Sequence, residues 1–374
     1  MSYSKKRFLF LTLRIFSATG GIERMCRILG KAIHDISVKQ GGSLAVLSMY
    51  DDTDLLYSNP YFGDTEFKGY TKNKIKFFLT SIRRGLKTDV VVLSHVNLAI
   101  IGWLIKLILP RKKIILIAHG IEIWESKSFF QNLYLRSIDK IVAVSNYTKE
   151  KIINKTNIAE NRISVINNCI DPFLANDDIS LYVEEWKKKI GISSGRPVIL
   201  TLCRVGFKDR EKGYVRVIES LKKVKDIHSD FLYIIAGDVE EKEKKYLDGI
   251  IHEYGLNENI LFTGFIEERY LPALFSLSTV FVMPSTKEGF GVAFLEAMFY
   301  DKSVIAGNLD GSRDALLQGQ LGMLVDPYDI NNLAKVISEV LSNPEKHKPD
   351  TNVLMANFGY SVYKGNFEKL FNSL

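Results

Sequence analysis

The sequence is poor in cysteine and has no apolar run long enough to span a bilayer. Its three cysteines, Cys26, Cys169 and Cys203, lie far apart and show neither metal-ligand nor redox spacing. We therefore expect no zinc site and no disulfide framework, which suits a reducing cytoplasm. The most apolar stretch, residues 98–109, is too short for a membrane span and contains Lys106. These features predict a cytoplasmic protein.

Low-complexity tracts and internal repeats are also missing, so neither a disordered chain nor a solenoid is expected. The first residues place lysines before an apolar run, as a secretion signal does. That run is short and Arg14 interrupts it, so we interpret it as a buried strand. A chain of 374 residues with 46% hydrophobic and 25% charged content is globular and exceeds the usual size of one core. Two domains are therefore expected.

The net charge of +7 and the pI near 9.0 indicate attraction to an anionic partner. Nucleic acid, a phospholipid surface and a nucleotide diphosphate all satisfy this condition, and charge alone does not choose among them. The basic and aromatic residues form no recognised RNA- or DNA-binding motif, so we expect no nucleic-acid partner.

Short runs rich in Val, Ile and Phe alternate with segments of helical period along the whole chain. This alternation predicts an α/β fold with two Rossmann-like, doubly wound domains on parallel sheets. We expect an acceptor-side domain over residues 1–172, a donor domain over 173–356, and an aromatic-rich helix over 357–374 that packs back on the first domain. Ligands of such sheets bind at the carboxyl ends of the strands. The site is therefore expected in a cleft between the two domains.

The most informative segment, residues 283–297, has the sequence MPSTKEGFGVAFLEA and predicts a strand, a loop and a helix. Gly289 and Gly291 permit close approach of the backbone to a ligand. A helix that starts near Val292 directs free amide groups and a positive dipole end at an anion such as a diphosphate. Glu288 precedes the helix and Glu296 lies inside it, and carboxylates accept hydrogen bonds from the vicinal hydroxyls of a sugar or ribose.

This segment resembles the paired-glutamate signature of the family 4 (group 1) retaining glycosyltransferases of bacterial surface-polysaccharide type, which have the GT-B fold. The resemblance implies that Glu288 holds donor-sugar hydroxyls and that Glu296 holds the ribose. It also implies that the backbone of Gly289, Phe290, Gly291 and Val292 contacts the sugar and the phosphates.

Further segments extend the resemblance over nearly the whole chain. Arg204 and Lys212 resemble the family's arginine and lysine that neutralise the diphosphate, although Lys208 and Arg210 lie between them and compete for the role. His119 resembles the active-site histidine, and Glu122 is a weaker acceptor-side candidate. The remaining donor-binding candidates are the paired glycines Gly20 and Gly21, Gly237 in IAGD, and Phe265 and Ile266 in FTGFI, near which the family holds the nucleobase.

Some positions depart from the family pattern without removing a catalytic group. Cys169 stands where glycine is usual, and Ser303 stands where proline is common. The segment GNLDGSRDAL also replaces a proline–glutamate pattern and leaves Asp314 as the candidate counterpart.

Residues 68–87 concentrate positive charge with apolar residues interleaved. Such a segment either lies on an anionic membrane surface or packs an ordinary amphipathic helix on its own sheet. The first alternative predicts a peripheral protein on the inner face of the plasma membrane, with a glycan or polyprenyl-diphosphate-linked acceptor.

The resemblance implies a metal-independent transfer of a hexose with retention, with a UDP- or GDP-linked donor as substrate and no cofactor. Residues 51–54 contain three aspartates, but we interpret them as a polar turn and not as a metal site. Two other readings stay open: a double-Rossmann epimerase of nucleotide sugars, and a non-catalytic scaffold that binds sugar nucleotides.

Overall fold

A computed structural model describes residues 5–53, 59–63, 66–124, 129–174, 180–191 and 195–374. The chain divides into two compact units. The first comprises Met1–Phe173 together with Phe358–Leu374, and the second comprises Leu174–Asn357.

The first unit is built on a parallel sheet that has seven strands within these described ranges. The strands are β1 (Arg7–Thr12), β2 (Ser43–Ser48), β3 (Phe67–Gly69), β4 (Val90–Leu93), β5 (Lys113–Ala118), β6 (Lys140–Ala143) and β7 (Ile163–Val165). They pair in the order β3-β2-β1-β4-β5-β6-β7. The helices between them are α1 (Gly21–Lys39), α2 (Lys74–Lys87), α3 (Ala99–Ile108), α4 (Ile121–Trp124), α5 (Phe129–Arg136) and α6 (Asn146–Lys155).

The second unit has a six-stranded parallel sheet, again counted over described residues only. Its strands are β8 (Val198–Leu202), β9 (Leu232–Ala236), β10 (Ile260–Gly264), β11 (Val280–Met283), β12 (Ser303–Gly307) and β13 (Met323–Val325), in the order β10-β9-β8-β11-β12-β13. Its helices are α7 (Ser180–Ile190), α8 (Tyr214–Lys225), α9 (Glu241–Glu253), α10 (Leu271–Leu277), α11 (Val292–Phe299), α12 (Ser312–Ala315), α13 (Ile330–Ser342) and α14 (Thr351–Phe358).

Central strands of both sheets are apolar on both faces because helices cover both sides. All four residues of β4 and all five of β9 are buried. Each unit therefore has its own core, one around β1, β4 and β5 and the other around β8, β9 and β11. The predicted α/β class with two doubly wound sheets is confirmed.

The end of the chain differs from the single helix expected over residues 357–374. Gly359 has an extended backbone, with φ −67° and ψ 148°, so one helix ends at Phe358 and α15 (Tyr360–Asn372) begins after it. The main chain of Ile170 explains the break, because its N–H donates to the carbonyl of Phe358 at 2.9 Å. The helix α15 packs against α1, and the Phe371 ring lies 4.9 Å from that of Phe8.

The basic segment at residues 68–87 is also divided, because its first residues belong to the edge strand β3 and the helix α2 starts only at Lys74. Phe77 of α2 is fully buried, whereas Ile75 and Leu79 are 75% and 62% exposed. Among the described residues, no helix combines the length and the apolar character needed to cross a membrane.

Candidate functional site

Two loops of the second unit meet at the carboxyl ends of β8 and β11. These strands pair in parallel, and the sheet order reverses between them, which is where doubly wound sheets bind ligands. One loop, residues 203–213, leads from β8 into α8. The other, which we call the Glu288 loop (residues 284–291), leads from β11 into α11.

Lys212 and Glu288 join the two loops through a direct contact. The Lys212 Nζ donates to Oε1 of Glu288, and the two side chains are only 28% and 14% exposed. Burial opposes the positive charge of Lys212, but the attraction of Glu288 outweighs it, and the pKa of Lys212 is raised. Lys212 is therefore charged near neutral pH. The structure thus brings into contact two residues that were expected to bind different parts of the donor, Lys212 the diphosphate and Glu288 the sugar hydroxyls.

The backbone fixes this contact as well. Gly213 has a φ of 88°, and a Cβ at this position would lie 2.4 Å from the carbonyl oxygen of Pro284. The Thr286 N–H donates to the carbonyl of Glu211 at 2.9 Å. Only glycine therefore lets the segment before α8 pack directly on the Glu288 loop.

The other basic candidates of this loop are placed differently. Arg210 donates to Glu243 at 2.7 and 2.9 Å and stacks over Tyr246 at 4.0 Å, so it has partners away from Glu288. Lys208 is exposed. The side chain of Arg204 is 76% exposed and contacts Asp209 at 3.1 Å. Geometry thus favours Lys212 over Arg210 as the partner of an anion at this edge.

The helix α11 begins beside the contact. Gly291 precedes it with a φ of 89°, and the first amides of the helix follow at Val292. Phe290 and Glu296 are buried, with 2% and 4% exposure. A helix start with a nearby lysine attracts anions.

The sequence analysis missed Asp310, which is fully buried after β12. Its carboxylate accepts hydrogen bonds from Glu288 N and Ser285 Oγ, both at 2.6 Å, and from Ser312 N at 2.9 Å. Burial, together with the charge of Glu288, raises the pKa of Asp310 to about 6 against the hydrogen bonds. The sequence directed attention to Asp314, which lies in α12; an aspartate directly after a buried strand was the available signal.

The remaining donor-side candidates lie at neighbouring strand ends. Gly237 follows β9 with a φ of 135°, and a Cβ there would lie 2.1 Å from the Cys203 carbonyl. Phe265 and Ile266 follow β10, and Phe265 is 55% exposed whereas Ile266 is buried. The second unit thus gathers its predicted donor residues at one edge of its sheet.

In the first unit, His119 follows β5. Its Nε2 is buried and has no hydrogen-bond partner among the described residues. Burial lowers the pKa of His119 to about 4, so the imidazole is neutral at physiological pH. His95, which the sequence analysis did not single out, follows the neighbouring strand β4, and burial lowers its pKa too while Glu122 opposes the shift. A histidine directly after the apolar run of β4 was the signal for it.

Glu122 stabilises the turn that follows β5. Its Oε1 accepts from the amides of His119 at 2.6 Å and Gly120 at 3.1 Å. The carboxylate therefore holds the turn between β5 and α4 and fixes the backbone of His119. This contact is a structural role for a residue expected on the acceptor side.

The interpretation of residues 51–54 as a polar turn is wrong for Asp51. Asp51 is fully buried and accepts from Ile15 N and Ser17 N at 2.7 Å and from Ser48 Oγ at 2.6 Å. It holds the loop after β1 that leads to Gly20, the residue before α1, and Gly21, its first residue. Asp54 lies outside the described residues. Nowhere in the described chain do three or more His, Cys, Asp or Glu side chains gather as metal ligands.

Solved structures share this architecture along nearly the whole chain. Anabaena HepE in complex with UDP and glucose has a TM-score of 0.80 and 19% identity, covering 99% of this chain and 100% of that one. The lipopolysaccharide outer core galactosyltransferase WaaB in its apo form has a TM-score of 0.69 and 16% identity, over 98% and 100%. The two sheets thus define a protein of the GT-B class.

The sequence comparisons identify the family. Residues 183–351 match the family Glycosyl transferases group 1, and residues 19–173 match Glycosyltransferase Family 4. The chain therefore belongs to the group 1, family 4 glycosyltransferases.

Curated relatives match a shorter region. An uncharacterised glycosyltransferase of Methanocaldococcus jannaschii is 28% identical over 59% of this chain and 55% of its own length. The 2-deoxystreptamine glucosyltransferase of Streptomyces kanamyceticus is 27% identical over 56% and 53%. The serotype-specific mannosyltransferase WbdA of Escherichia coli is 23% identical over 57% and 26%. The matched region thus spans about half the length of the first two relatives and a quarter of WbdA.

Proposed function

We propose that this chain is a retaining glycosyltransferase that moves a hexose from a UDP- or GDP-linked donor to a glycan or lipid-linked acceptor. The reaction belongs to the synthesis of surface polysaccharide or lipopolysaccharide. The observation that carries the proposal is the contact between Lys212 and Glu288 beside the start of α11. The names of the relatives agree with it, since they include a glucosyltransferase and a mannosyltransferase.

A nucleoside diphosphate suits the charges at this edge. Negative charge develops on the diphosphate as the glycosidic bond breaks, so a fixed cation there favours the transition state over the ground state. Lys212 supplies the buried cation, Arg204 supplies an exposed one, and the amides of Phe290 and Val292 supply dipoles.

The carboxylates recognise hydroxyls. Glu288 takes the donor-sugar hydroxyls while Lys212 holds its side chain in place, and Glu296 takes the ribose from inside α11. The backbone of Gly237, Phe265 and Ile266 receives the nucleobase. In the first unit, the neutral His119 orients the reactants near the anomeric carbon, and substitution on the front face retains its configuration.

Neither a metal ion nor a cofactor takes part in the proposed reaction, because Lys212, Arg204 and the helix amides neutralise the diphosphate. Transfer should therefore continue in excess EDTA. Loss of transfer in EDTA that Mg²⁺ or Mn²⁺ restores would contradict this part of the proposal.

The acceptor side combines charge with exposed apolar groups, which suits a lipid-linked acceptor at the inner face of the plasma membrane. The helices α2 and α3 pack side by side. Ile75 and Leu79 on α2 are exposed, and so are Leu107 and Ile108 at the end of α3, by 60% and 57%. Basic residues accompany them: Lys74, Lys76, Arg83 and Arg84 lie on α2, and Arg111 follows the end of α3. Such a surface fits an anionic bilayer.

Thermal shift against UDP, GDP, ADP and their hexose conjugates tests the donor site. We expect one nucleotide to raise the melting temperature and Glu296→Gln to abolish that rise. The matched control is Glu339→Gln, which makes the same change on the exposed face of α13 and should keep the rise. No rise with any nucleotide in the wild type would contradict the donor site.

Product analysis tests the reaction. We expect the nucleoside diphosphate to be released in proportion to the acceptor added, and the NMR coupling of the new glycoside to show the anomeric configuration of the donor. Conversion of the donor sugar without an acceptor would identify an epimerase instead. Binding without any conversion in the presence of a membrane fraction from cells would favour the scaffold.

A further inference from the structure

Asp310 and the next residue, Gly311, hold the main chain of the Glu288 loop on both sides of the Glu288 Cα. The Oδ2 of Asp310 accepts from Glu288 N at 2.6 Å, and Gly311 donates its N–H to the Glu288 carbonyl at 3.0 Å. The same Oδ2 accepts from Ser285 Oγ at 2.6 Å. The loop is thus held at Ser285 and at both polar main-chain groups of Glu288.

The packing leaves the loop little room to move away. A Cβ on Gly311 would lie 2.1 Å from the carbonyl oxygen of Gly289, so the two backbones are in direct contact. Asp310 is fully buried, and its Oδ1 accepts from Ser312 N at 2.9 Å. The start of α12 therefore also fixes the orientation of the Asp310 carboxylate.

Two charged groups face Asp310 from other elements. Glu288, in the loop before α11, disfavours the negative charge of Asp310, and Lys212, in the segment before α8, favours it. Ser285 and Ser312 donate to the ionised form. Burial is the largest influence, and together these groups place the pKa of Asp310 at about 6.

We propose that Asp310 is a positioning residue whose ionised carboxylate sets the Glu288 loop for the donor sugar. It touches no substrate and acts through the main chain of Glu288. The inference rests on the proposed function of this site and deepens it, because it makes sugar recognition depend on the charge of a residue outside the binding surface.

A protonated Asp310 cannot hold the loop in the same way. The ionised carboxylate accepts from Glu288 N and Ser285 Oγ on Oδ2 and from Ser312 N on Oδ1. A neutral carboxyl group carries a proton on one of these oxygens, where it meets a main-chain N–H, and the only acceptor among these three partners is the Ser285 hydroxyl, which must then stop donating to Asp310. Recognition of the sugar should therefore weaken as the pH falls through about 6.

The contribution of Asp310 to the stability of the fold depends on pH in the opposite direction to its contribution to sugar recognition. Its folded-state pKa is raised above that of an unfolded chain, so the stability that Asp310 contributes is greatest at low pH and is lost as the pH rises through about 6. A loss of sugar recognition below pH 6 that comes from Asp310 is thus not a loss of folding.

Titration calorimetry separates binding of the sugar from binding of the nucleotide when each sugar conjugate is compared with its free diphosphate. The pairs are UDP-glucose with UDP and GDP-mannose with GDP, measured between pH 5.5 and 8. For the preferred pair, we expect the affinity ratio of sugar conjugate to diphosphate to fall about fourfold at pH 5.5, because about a quarter of Asp310 stays ionised half a pH unit below a pKa of about 6. Ser285→Ala removes one donor and should move the midpoint upward by about one pH unit. Asp310→Asn should give the low ratio at every pH, whereas the control Asp329→Asn, at the exposed start of α13, should behave as the wild type.

Hydrogen exchange of the ligand-free protein provides the second arm. We expect the amide of Glu288 to exchange at least tenfold faster in Asp310→Asn, with the peptides of β8 and β9 unchanged. A wild-type affinity ratio and pH profile in Asp310→Asn would overturn the inference, as would an unmoved midpoint in Ser285→Ala. If amide exchange in Asp310→Asn is faster throughout the second unit, the substitution has destabilised that unit as a whole. The pH midpoint of Ser285→Ala then tests the inference.

The two proposals fail in different ways. If the wild type binds none of the four probes but the Glu288 amide exchanges faster in Asp310→Asn, the proposed donor site is wrong. The positioning of the Glu288 loop by Asp310 then still holds. If the wild type binds a sugar conjugate more tightly than the diphosphate and neither variant changes that preference, the positioning role is wrong and the donor site stands.

Discussion

His119, whose Nε2 is buried, and Asp310, which is fully buried, both follow strand ends, and burial shifts their pKa values in opposite directions. Burial disfavours the charged form in each case, which lowers the pKa of His119 to about 4 and raises that of Asp310 to about 6. Near pH 7 the first is neutral and the second is ionised. The histidine can therefore orient a ligand by hydrogen bonding, and the aspartate can hold main-chain amides.

The pKa of His119 predicts a change of stability with pH. Its folded value lies below the value of about 6.5 expected in an unfolded chain. The stability that it contributes is therefore present above pH 6.5 and is lost as the pH falls towards 4. We expect urea unfolding between pH 7 and 5 to show a loss that is smaller in His119→Gln by roughly 1 kcal/mol.

The matched control for this measurement is His252→Gln, because His252 is exposed on α9. It should lose stability between the two pH values as the wild type does. Equal pH dependence in the wild type and in His119→Gln would show that His119 is not held neutral by burial.

At the scale of elements, the site depends on how two loops are joined to their helices. Gly213 ends the segment that carries Lys212, and Gly291 ends the loop that carries Glu288; both have φ values near 90°. The sequence indicated the glycines of the second loop. The contact of Gly213 with Pro284 depends on the pairing of β8 with β11. It could not be read from local spacing, since Val280 pairs with Ile199, 81 positions earlier in the chain.

The substitution Gly213→Ala should therefore cost stability and displace Lys212. The left-handed backbone alone costs about 1–2 kcal/mol for alanine, and the close approach to Pro284 adds to it. We expect a lower melting temperature and weaker binding of the nucleoside diphosphate, measured by thermal unfolding and calorimetry.

Gly249→Ala is the matched control. Gly249 lies inside α9, and a Cβ there would meet no atom within 4 Å. Helix propensity predicts that this change stabilises the protein by up to about 1 kcal/mol. If Gly213→Ala proved as harmless as Gly249→Ala, the backbone contact with Pro284 would not constrain the site.

At the scale of the whole molecule, charge and exposed apolar groups coincide on the first unit. The net charge of +7 gave no location, whereas the structure exposes Ile75 and Leu79 among the lysines and arginines of α2. Phe77, on the same helix, is fully buried. One face of the helix thus packs on its own sheet, as one interpretation of the sequence expects, and the contact of the other face with a membrane stays a prediction.

Co-sedimentation with liposomes tests this surface. We expect binding to vesicles that contain phosphatidylglycerol and little binding to pure phosphatidylcholine. Changing Lys74, Lys76, Arg83 and Arg84 to glutamine should weaken binding at least tenfold, because each basic residue near the surface contributes about 1 kcal/mol.

A control with the same loss of charge removes four lysines of the second unit, Lys222, Lys242, Lys245 and Lys335. It should bind as the wild type does. Equal weakening in both variants would mean that net charge, and not α2, attracts the vesicles, and unchanged binding after the α2 substitutions would exclude α2 as the contact.

The sequence by itself determined the class of fold and the main elements of the second unit. Buried parallel strands must be apolar along their whole length, so runs such as residues 198–202 and 280–283 are visible locally. It also indicated a glycine directly before α11, and the structure places Gly291 there with a φ of 89°, a backbone conformation that favours glycine.

Only the tertiary structure decided which of these residues meet. Lys212 reaches Glu288, and Asp310 holds the same loop, because parallel strands bring residues 22 to 76 positions apart to one edge of the sheet. In the first unit, Asp51 likewise accepts hydrogen bonds from main-chain amides and so holds the loop before Gly20. A buried carboxylate that binds distant amides resembles a surface turn in sequence, since its partners are main-chain groups that every residue carries.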